Sequence, residues 1–363
     1  MIIVAYIILA FTALQFIVVL LNFVTRTSLA ETGEKPDEAV SVLIPARNEE
    51  NNIVNILNDL INQDYSNIEI IVFDDQSEDR TADIVSGFML RDDRIKLIRS
   101  GGLPDGWLGK NHACHSLAKD AGGKYLLFLD ADVRVKGNII NKAVSFAKRH
   151  DLALISIFPK QIIVSAGERA TVPVMNYILL SLLPLILVRR SRYPSLAAAN
   201  GQFMFFRADA YRSVEPHMIM KDKKVEDILT ARHFKRRGLA IACLVGAEDI
   251  SCRMYTGFRD AAEGFSKNVV EFFGNSFMAA LMFWLITTLG FMPVLFFLPP
   301  AIFLAYAAIY ALTRMFISAA SRQNIFYNLL LIIPLQFSMG FFIYKAFINR
   351  FFRKYQWKGR SIS

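Results

Sequence analysis

The chain has 363 residues, of which 54% are hydrophobic, and its mean hydropathy of +0.34 is too high for an ordinary soluble domain. Its net charge of +9 at pH 7 suits a protein that lies against anionic lipid and handles a phosphate-bearing substrate. A nucleic-acid partner is not expected, because the basic residues are scattered or flank apolar runs and no nucleic-acid motif is present.

An uncharged apolar run begins the chain at residues 2–23. At about 1.5 Å per residue, a helix of this length crosses the roughly 30 Å hydrocarbon core of a bilayer. A secretory signal peptide is the alternative, but no Lys or Arg precedes the run, and the run exceeds the usual apolar core of a signal. We therefore predict a transmembrane anchor over residues 1–25. Arg26 follows it, and this charge bias places the next domain in the cytosol.

Short apolar segments alternate with segments of helical periodicity between residues 38 and 255. The pattern predicts, in order, a strand at 40–44, a helix at 49–63, a strand at 68–73, a helix at 81–90, a strand at 95–99, a helix at 111–121 and a strand at 125–129. This alternation indicates an α/β domain of Rossmann-like type, in which a mostly parallel sheet carries helices on both faces. Ligands of such sheets lie beyond the carboxyl ends of the strands.

Polar and mostly acidic residues follow three of the predicted strands. The first strand leads into the segment 45–50, the second into Asp74 and Asp75, and the fourth into Asp130-Ala131-Asp132. A lone Asp-x-Asp occurs in many surface loops, but this one follows a wholly apolar strand, so both carboxylates emerge at its carboxyl end. Two hard oxygen ligands suit Mg²⁺ or Mn²⁺ and leave places for phosphate oxygens.

Four segments after residue 170 are apolar, amphipathic or basic. Residues 172–188 are predicted to be an interfacial or re-entrant segment, with a buried core helix as the alternative. An amphipathic interfacial helix is predicted over 256–275, followed by a transmembrane region over 276–348 whose prolines leave two or three spans open. The basic tail at 349–363 is predicted to be cytosolic. The chain is therefore predicted to be a multi-pass protein of the cytoplasmic membrane.

The polar segments, taken together, resemble glycosyltransferase family 2. The resemblance covers roughly residues 40–268 and rests on four motifs in order: residues 41–50, residues 74–81, Asp130-Ala131-Asp132 and Val225-Glu226-Asp227. It implies a GT-A fold and the transfer of a sugar, with inversion, from a nucleotide-sugar donor that is usually a UDP-sugar.

The resemblance also implies roles for the residues of the first two motifs. Pro45, Arg47 and Glu49 would line the nucleoside pocket. Asp75 would contact the base or ribose, and Asp74 would support that loop. The next position, 76, is Gln where family members usually carry Gly, so this loop is less free to adopt a positive φ.

The last two motifs would carry the metal and the proton transfer. By the same resemblance, Asp130 would lie near the ribose and the metal, Asp132 would coordinate Mg²⁺ or Mn²⁺, and Asp227 would be the general base. Glu226 and Asp227 also form the acidic first turn of a predicted helix, and this structural role is compatible with the catalytic one. A bound cation would offset the charge that builds on the leaving diphosphate.

A narrower resemblance comes from residues 106–114, Gly-Trp-Leu-Gly-Lys-Asn-His-Ala-Cys. This segment is similar to one in the membrane glycosyltransferases of carotenoid and hopanoid pathways. The similarity implies a membrane lipid or an isoprenoid-like acceptor, which reacts through a hydroxyl or a carboxylate. Lys110 would hold a donor phosphate, with an ordinary surface loop as the alternative, and Gly201 and Gln202 are further candidate substrate-binding residues.

Processive polysaccharide synthases of the wider family carry a Gln-x-x-Arg-Trp motif that this sequence lacks. In that region Arg253 and Lys267 are candidate partners of the donor pyrophosphate, and the alternative is the basic face of an interfacial helix. A processive synthase and a non-catalytic membrane scaffold remain the alternative functions.

The cysteines and histidines are predicted to be structural. The three cysteines, at positions 114, 243 and 252, fit neither a disulfide framework nor a zinc site and are expected to be small buried side chains. His112 and His115 are three residues apart on a predicted helix, but no further zinc ligand accompanies them.

Overall fold

The computed structural model describes residues 1–25, 29, 36–352, 356–357 and 360–361. Arg26 and most of the basic tail, on which the predicted orientation depends, lie outside this part of the chain. The chain divides into two compact units. The helical unit comprises Met1–Arg26, Gln161–Pro184 and Arg253–Ser363, and the sheet unit comprises Thr27–Lys160 and Leu185–Cys252.

The strands and helices are numbered along the chain. The strands are β1 (Val40–Ala46), β2 (Ile68–Asp74), β3 (Ile95–Arg99), β4 (Tyr125–Leu129), β5 (Val133–Val135), β6 (Leu154–Gln161), β7 (Phe203–Arg207), β8 (Ile241–Cys252), β9 (Gln356–Trp357) and β10 (Arg360–Ser361). The helices are α1 (Ile2–Val24), α2 (Ile53–Ile61), α3 (Thr81–Met89), α4 (Gly109–Asp120), α5 (Ile139–Arg149), α6 (Ala166–Arg169), α7 (Pro173–Leu182), α8 (Leu185–Arg190), α9 (Ala208–Val214), α10 (Pro216–Ile219), α11 (Glu226–Arg236), α12 (Phe258–Asn268), α13 (Phe277–Leu289), α14 (Phe291–Phe297), α15 (Pro300–Ala320), α16 (Ile325–Leu330) and α17 (Ile332–Phe352).

An eight-stranded mixed sheet forms the centre of the sheet unit, with the strand order β3-β2-β1-β4-β7-β6-β8-β5. The strands β3, β2, β1 and β4 run parallel to one another. Beyond them, β7 is antiparallel to both β4 and β6, and β5 is antiparallel to β8. The predicted Rossmann-like α/β fold is confirmed, and the structure adds an antiparallel half to the parallel one. The carboxyl ends of β1, β2 and β4 therefore share one edge of the sheet.

The first helix of the sheet unit packs as its periodicity predicts. Ile53, Ile56, Leu57 and Leu60 of α2 are fully buried. Burial of such aliphatic side chains is worth about 1.5–3 kcal/mol each and fixes the helix against the sheet. The apolar face is thus set by spacing of three and four residues.

Helix α2 begins four residues later than the sequence predicts. The backbone N–H of Glu49 donates to Thr81 Oγ1 at 2.8 Å, and that of Glu50 donates to Asp79 Oδ2 at 3.0 Å. Because these donors are bonded to the loop after β2, the chain is held out of the helix until Ile53.

The helical unit contains three helices that are long and apolar enough to cross a membrane, at Ile2–Val24, Pro300–Ala320 and Ile332–Arg350. A fourth candidate is a pair of helices, Phe258–Phe273 and Phe277–Leu289, bent by 99°. Two of the three long helices lie in the predicted C-terminal membrane region. Ile3, Phe296 and Phe337, on three different helices, are 70–75% exposed, which is typical of side chains that face lipid.

The apolar segment 172–188 is not one continuous helix. It forms α7 in the helical unit and α8 in the sheet unit, and Leu183 and Pro184 separate them. Within the helical unit, Asn22 Nδ2 donates to the backbone oxygens of Leu180 and Leu183 at 2.9 Å each. The last carbonyl groups of α7 are thus bonded to α1, which ends the helix where the predicted segment continues.

Candidate functional site

The carboxyl end of β4 carries the first half of the site. Asp130 follows the last residue of this strand, and its backbone N–H donates to Gln202 O at 3.3 Å. Lys110, in the first turn of α4, forms an ion pair with the Asp130 carboxylate at 2.7 Å. Lys110 Nζ also lies 3.5 Å from Gly201 O. The distinctive Gly-Lys-Asn segment and the Asp-x-Asp motif therefore meet directly.

The start of α11 carries the second half. The backbone N–H of Gly201 donates to Asp227 Oδ2 at 3.0 Å, and Glu226 Oε1 lies 3.8 Å from Lys110 Nζ. A Cβ atom added at Gly201 would lie 3.1 Å from Lys110 Nζ and 3.3 Å from Glu226 Oε1. A side chain at this position would therefore displace the ends of both side chains by a few tenths of an ångström. Residues distant in sequence thus form one group, which we call the Lys110 cluster: Lys110, Asp130, Gly201, Glu226 and Asp227.

Charge repulsion and burial perturb the carboxylates of the cluster. Burial raises the pKa of Glu226 to about 7, with Asp227 adding to the effect and Lys110 opposing it. Burial likewise raises the pKa of Asp227, although N–H donors from Ile228 and Gly201 and the charge of Lys110 favour its ionised form. Burial alone would lower the pKa of Lys110, but Asp130 and Glu226 outweigh it and raise that pKa. The group has the perturbed carboxylates typical of a functional site.

Asp132 lies beside the cluster and has a distinct environment. Burial and the charges of Asp130 and Glu49 raise the pKa of its carboxyl to about 7, while a hydrogen bond with Cys252 opposes the shift. The Cys252 Sγ atom is itself 2.9 Å from Gln202 Nε2. The Oδ1 atom of Asp132 is buried and has no hydrogen-bond partner in the described part of the chain. A buried carboxylate oxygen without a donor is a group that a cation would satisfy.

No group of three or more His, Cys, Asp and Glu side chains suited to a metal ion occurs among the described residues. Asp130 and Asp132 nevertheless fit Mg²⁺ or Mn²⁺, because these ions are commonly held by one or two carboxylates together with water and substrate phosphates. The unpaired Oδ1 of Asp132 is the observation that supports this fit. Asp130 is already paired with Lys110, so a cation there would share this carboxylate with the lysine.

The loops after β1 and β2 form a second region, at the predicted nucleoside pocket. Arg47 is buried, and its Nη1 donates to the backbone oxygens of Asp75 at 2.6 Å and Gln76 at 3.0 Å. The Asp75 side chain is buried as well. Asp74 ends β2 and accepts a hydrogen bond from the backbone N–H of Ser77 at 3.4 Å. Arg47 thus fixes the backbone that carries the Asp75 side chain.

Two residues of these loops adopt positive φ without being glycine. Asn48 has φ of 53° and Gln76 has φ of 55°. Pro45 lies at the end of β1, in register with Phe73 of β2. The loop at Gln76 therefore adopts the left-handed conformation that the absent glycine would favour, at a cost of about 1–2 kcal/mol.

Trp107 and the two histidines pack against one another. The Trp107 ring stacks on His115 with centroids 5.1 Å apart and meets His112 edge-on at 5.7 Å. His112 also lies edge-on to Phe73 at 5.7 Å. These ring contacts agree with packing rather than a zinc pair. All three cysteines are free and buried, as predicted.

Two candidate pyrophosphate partners belong to the helical unit. Arg253 Nη2 forms an ion pair at 2.9 Å with Glu168, whose side chain is fully buried. Lys267 lies on α12. The structure therefore assigns Arg253 a partner within its own unit and leaves the pyrophosphate role of both residues a prediction.

Asn111 is a positioning residue that the sequence analysis did not identify. Its buried Nδ2 donates to the backbone oxygens of Met220 at 2.6 Å, Lys223 at 3.0 Å and Lys221 at 3.3 Å. These carbonyl groups lie just before the start of α11, so Asn111 fixes the segment that leads to Glu226. The sequence feature that could have identified this role is an Asn in the first turn of a predicted helix, because the side chain of Asn there forms hydrogen bonds with backbone groups.

Comparisons with known proteins concern the family and the fold. The family model described as glycosyl transferase family 2 matches residues 41–214. A 4,4'-diaponeurosporenoate glycosyltransferase from Staphylococcus haemolyticus is 27% identical over 241 residues, which are 64% of this chain and 61% of that relative. A protein of the same name from Staphylococcus aureus strain USA300 is 25% identical over 92% of this chain and 91% of its own length.

A solved structure shares the fold. It is a mannosyltransferase from Pyrobaculum calidifontis in complex with GDP-Man and Mn²⁺, similar with a TM-score of 0.57 at 15% identity, over 97% of this chain and 99% of that one. At this identity the likeness concerns the fold alone.

Proposed function

From the match of the glycosyl transferase family 2 model to residues 41–214, we propose that this chain is a member of that family and transfers a sugar from a nucleotide-sugar to an apolar, lipid-like acceptor. The observation that carries the proposal is the Lys110 cluster, in which two carboxylates at the start of α11 meet a lysine–aspartate pair at the end of β4. A UDP-sugar is the first candidate donor. The parallel half of the sheet carries the cluster at the edge where ligands of α/β domains bind.

The relatives support an apolar acceptor. The two Staphylococcus proteins are named for diaponeurosporenoate, an apolar carboxylate. An isoprenoid-like or membrane-lipid acceptor also fits the candidate membrane helices of the helical unit. The reacting oxygen is then a hydroxyl or a carboxylate. A processive synthase is not favoured, because the sequence lacks the Gln-x-x-Arg-Trp motif.

The donor would bind along the sheet edge. In this proposal Pro45, Arg47 and Glu49 line the nucleoside pocket, and the buried Asp75 contacts the base or ribose. Lys110 carries a positive charge at neutral pH and is the cation of the cluster, so it would hold a donor phosphate by charge-assisted hydrogen bonds. Gly201 leaves room for this lysine. These roles agree with the hydrogen bonds of the two loops.

Asp130 and Asp132 would hold Mg²⁺ or Mn²⁺. When bound, the ion supplies positive charge that offsets the charge of the leaving diphosphate. The mannosyltransferase that shares the fold was itself solved with Mn²⁺ and GDP-Man. Asp132 contributes a carboxylate oxygen without a hydrogen-bond partner among the described residues, and Asp130 links the ion to Lys110.

Asp227 would act on the acceptor. Its carboxylate is held by the Gly201 N–H at 3.0 Å and by the Ile228 N–H at 2.7 Å, so its orientation is fixed. A raised pKa suits a group that accepts a proton near neutral pH. With a hydroxyl acceptor, Asp227 takes the proton as the oxygen attacks the anomeric carbon; with a carboxylate acceptor, it orients the attacking oxygen. A single displacement inverts the anomeric configuration.

The proposed membrane organisation follows the segments that were predicted from the sequence. Residues 1–25 anchor the chain, residues 38–255 form the catalytic domain, and residues 256–275 lie at the membrane surface. Residues 276–348 return the chain through the cytoplasmic membrane, with the catalytic domain and the tail at 349–363 in the cytosol. Three helices of sufficient length and hydropathy support a multi-pass arrangement.

The proposal is tested by incubating membranes that contain the protein with labelled UDP-sugars or GDP-mannose and Mn²⁺ or Mg²⁺. We expect label in a lipid extract, analysed by mass spectrometry, and its loss when EDTA removes the divalent ion. Membranes that contain the Asp132→Asn variant are the negative control. Label only in a long water-soluble polymer would favour a processive synthase. The absence of transfer from every nucleotide-sugar, with folded protein present, would favour a scaffold.

A further inference from the structure

A buried arginine lies inside the helical unit. Arg314 belongs to α15, one of the candidate membrane spans, and only 4% of it is exposed. Its neighbours come from three helices, Tyr177 of α7, Tyr310 of α15 and Gln336 of α17. We call these four residues the Arg314 cluster. The proposed transfer reaction assigns no role to any of them.

The guanidinium of Arg314 has neutral partners. Its carbon lies 3.5 Å from the ring centroid of Tyr177 and 5.4 Å from that of Tyr310. Its Nη2 donates to Tyr310 Oη at 3.0 Å, and Gln336 Nε2 donates to the same oxygen at 2.9 Å. Arg314 Nε is buried and has no hydrogen-bond partner within the described residues. The N–H donors of the Arg314 guanidinium are thus only partly used.

Among the described residues, no carboxylate is paired with the guanidinium of Arg314. The sequences of α7, α15 and α17 contain no Asp or Glu, and neither do α1 and α13, which pack against them. Burying a charge is costly unless it is paired, and a charged side chain within membrane-spanning helices is therefore a functional site by default. Cation–π contacts with two tyrosines offset part of this cost and supply no negative charge.

We propose that the Arg314 cluster binds the oxyanion end of a long apolar molecule, a carboxylate or phosphate attached to a hydrocarbon chain. The planar guanidinium is suited to bind two oxygens of such a group, and the Gln336 amide and the tyrosine hydroxyls add neutral hydrogen bonds. The apolar surfaces of the surrounding helices would take the chain. The proposal rests on the proposed function for the apolar nature of the molecule that binds, and it adds a second binding site, distinct from the Lys110 cluster.

A purely structural role is the alternative. Arg314 would then only tie α15 to α7 through Tyr177. In that case its loss lowers stability and affects charged and uncharged ligands equally. A charge-selective binding site instead discriminates between an acid and its ester, which have the same chain.

The test uses the full chain in a neutral detergent at pH 8 and a polyene fatty acid, parinaric acid, with its methyl ester as the uncharged match. Binding is followed by energy transfer from tryptophan. We expect the wild type to bind the acid at least about tenfold more tightly than the ester, as a charge-assisted hydrogen bond predicts. In Arg314→Met the preference should fall to within about twofold, and in Arg314→Lys part of it should remain.

The matched control is Arg169→Met, which removes another arginine of the helical unit whose guanidinium lies over a tyrosine ring, 4.1 Å from the Tyr327 centroid. It should keep the full preference. If Arg314→Met does not fold, Arg314→Gln provides the same neutral test. Equal binding of acid and ester by the wild type, or a preference that survives both neutral variants, would overturn the proposal.

Competition identifies the source of the oxyanion. Hexadecyl phosphate should displace parinaric acid if phosphates are accepted, and palmitate alone should displace it if the site is selective for carboxylates. Displacement by inorganic phosphate at the same concentration would contradict the requirement for an apolar chain. The experiment measures ligand binding and not sugar transfer. A negative binding result therefore contradicts the Arg314 proposal without contradicting the proposed function.

Discussion

Close packing of charged groups around a glycine is the main feature of the site at the scale of single residues. Lys110 pairs with Asp130 at 2.7 Å beside Gly201, where an added Cβ would lie 3.1 Å from Lys110 Nζ. The two carboxylates of α11 then share this lysine. Burial raises the pKa of Glu226 and of Asp227, and the nearby charge of Lys110 opposes both shifts.

Gly201→Ala tests this proximity. The added methyl group would lie 3.1 Å from Lys110 Nζ, which is flexible and moves by a few tenths of an ångström. We expect the stability to change by less than about 1 kcal/mol, because only side-chain ends are displaced. Transfer should fall about tenfold or more, because catalysis is sensitive to small displacements. Steady-state transfer and thermal unfolding of the same preparation measure the two effects.

Gly87→Ala is the matched control. Nothing lies within 4 Å of a Cβ at this position, in the middle of α3. The substitution should raise stability by about 0.5–1 kcal/mol through helix propensity and leave transfer unchanged. Equal activity of both alanine variants would contradict the role of Gly201.

At the scale of secondary structure elements, the site depends on how α4 and α11 are joined to the sheet. Leu108 N donates to Lys221 O at 2.8 Å, next to the three bonds from Asn111. The segment before α11 is therefore fixed to the start of α4. This arrangement brings Lys110 and Glu226, which lie on different helices, to within 3.8 Å.

Asn111→Ala should weaken this connection. It leaves three backbone carbonyl groups without their side-chain donor, and we expect a loss of about 1–3 kcal/mol in the free energy of unfolding. Transfer should also fall, because Glu226 and Asp227 lose their fixed position. Denaturant unfolding and transfer are measured together with Asn55→Ala, an exposed residue of α2, as the control. Unchanged stability and transfer in Asn111→Ala would show that the segment is held by other contacts.

The acidic start of α11 predicts a pH dependence of stability. The pKa of Glu226 is raised to about 7, above its ordinary value of 4.5, so the folded state binds a proton more tightly than the unfolded state. Stability without ligand should therefore fall as the pH rises from about 4.5 to about 7. Asp132, with a pKa raised to about 7, adds a change of the same sign.

Glu226→Gln should reduce this fall without abolishing it. Melting temperatures at pH 5.5 and pH 8 measure the effect, and Glu263→Gln, at an exposed carboxylate, should behave as the wild type does. If the wild type is equally stable at both pH values, Glu226 is not perturbed in the folded protein.

The parts of the fold that follow local periodicity were predictable from sequence. Strands β3 and β4 have the predicted bounds, and the buried face of α2 consists of the predicted residues. The antiparallel half of the sheet was not predicted, because β5 has only three residues and the direction of β7 is not visible in its sequence. Strand order depends on pairing between distant segments, which a short apolar run does not encode.

The candidate site, like the fold, was predictable from the sequence only in part. Asp130 and Asp132 directly follow β4 and Asp227 lies in the first turn of α11, as the motifs predicted, while the placement of Asp227 in the same site was expected only from the family resemblance. The positive φ of Gln76 was not predictable from the sequence, because glutamine disfavours this conformation. A hydrogen bond from Arg47 to the Gln76 backbone oxygen compensates for the cost in the folded protein. Asn111 was missed because its partners are backbone oxygens more than 100 residues away.

At the scale of the whole molecule, the chain combines a sheet unit that carries the charged site with a helical unit that carries candidate membrane spans. The match to the glycosyl transferase family 2 model lies within residues 41–214, and the exposed apolar side chains of the helical unit fit a lipid environment.

The central claim is that Asp227 serves the transfer of a sugar from a nucleotide-sugar to a lipid-like acceptor. Transfer of labelled sugar into the lipid extract is the most direct measurement, compared among wild type, Asp227→Asn and the matched variant Asp222→Asn, which changes an exposed aspartate five positions earlier. The account predicts a loss of at least about 100-fold for Asp227→Asn and none for Asp222→Asn. Full transfer by a folded Asp227→Asn variant would contradict it.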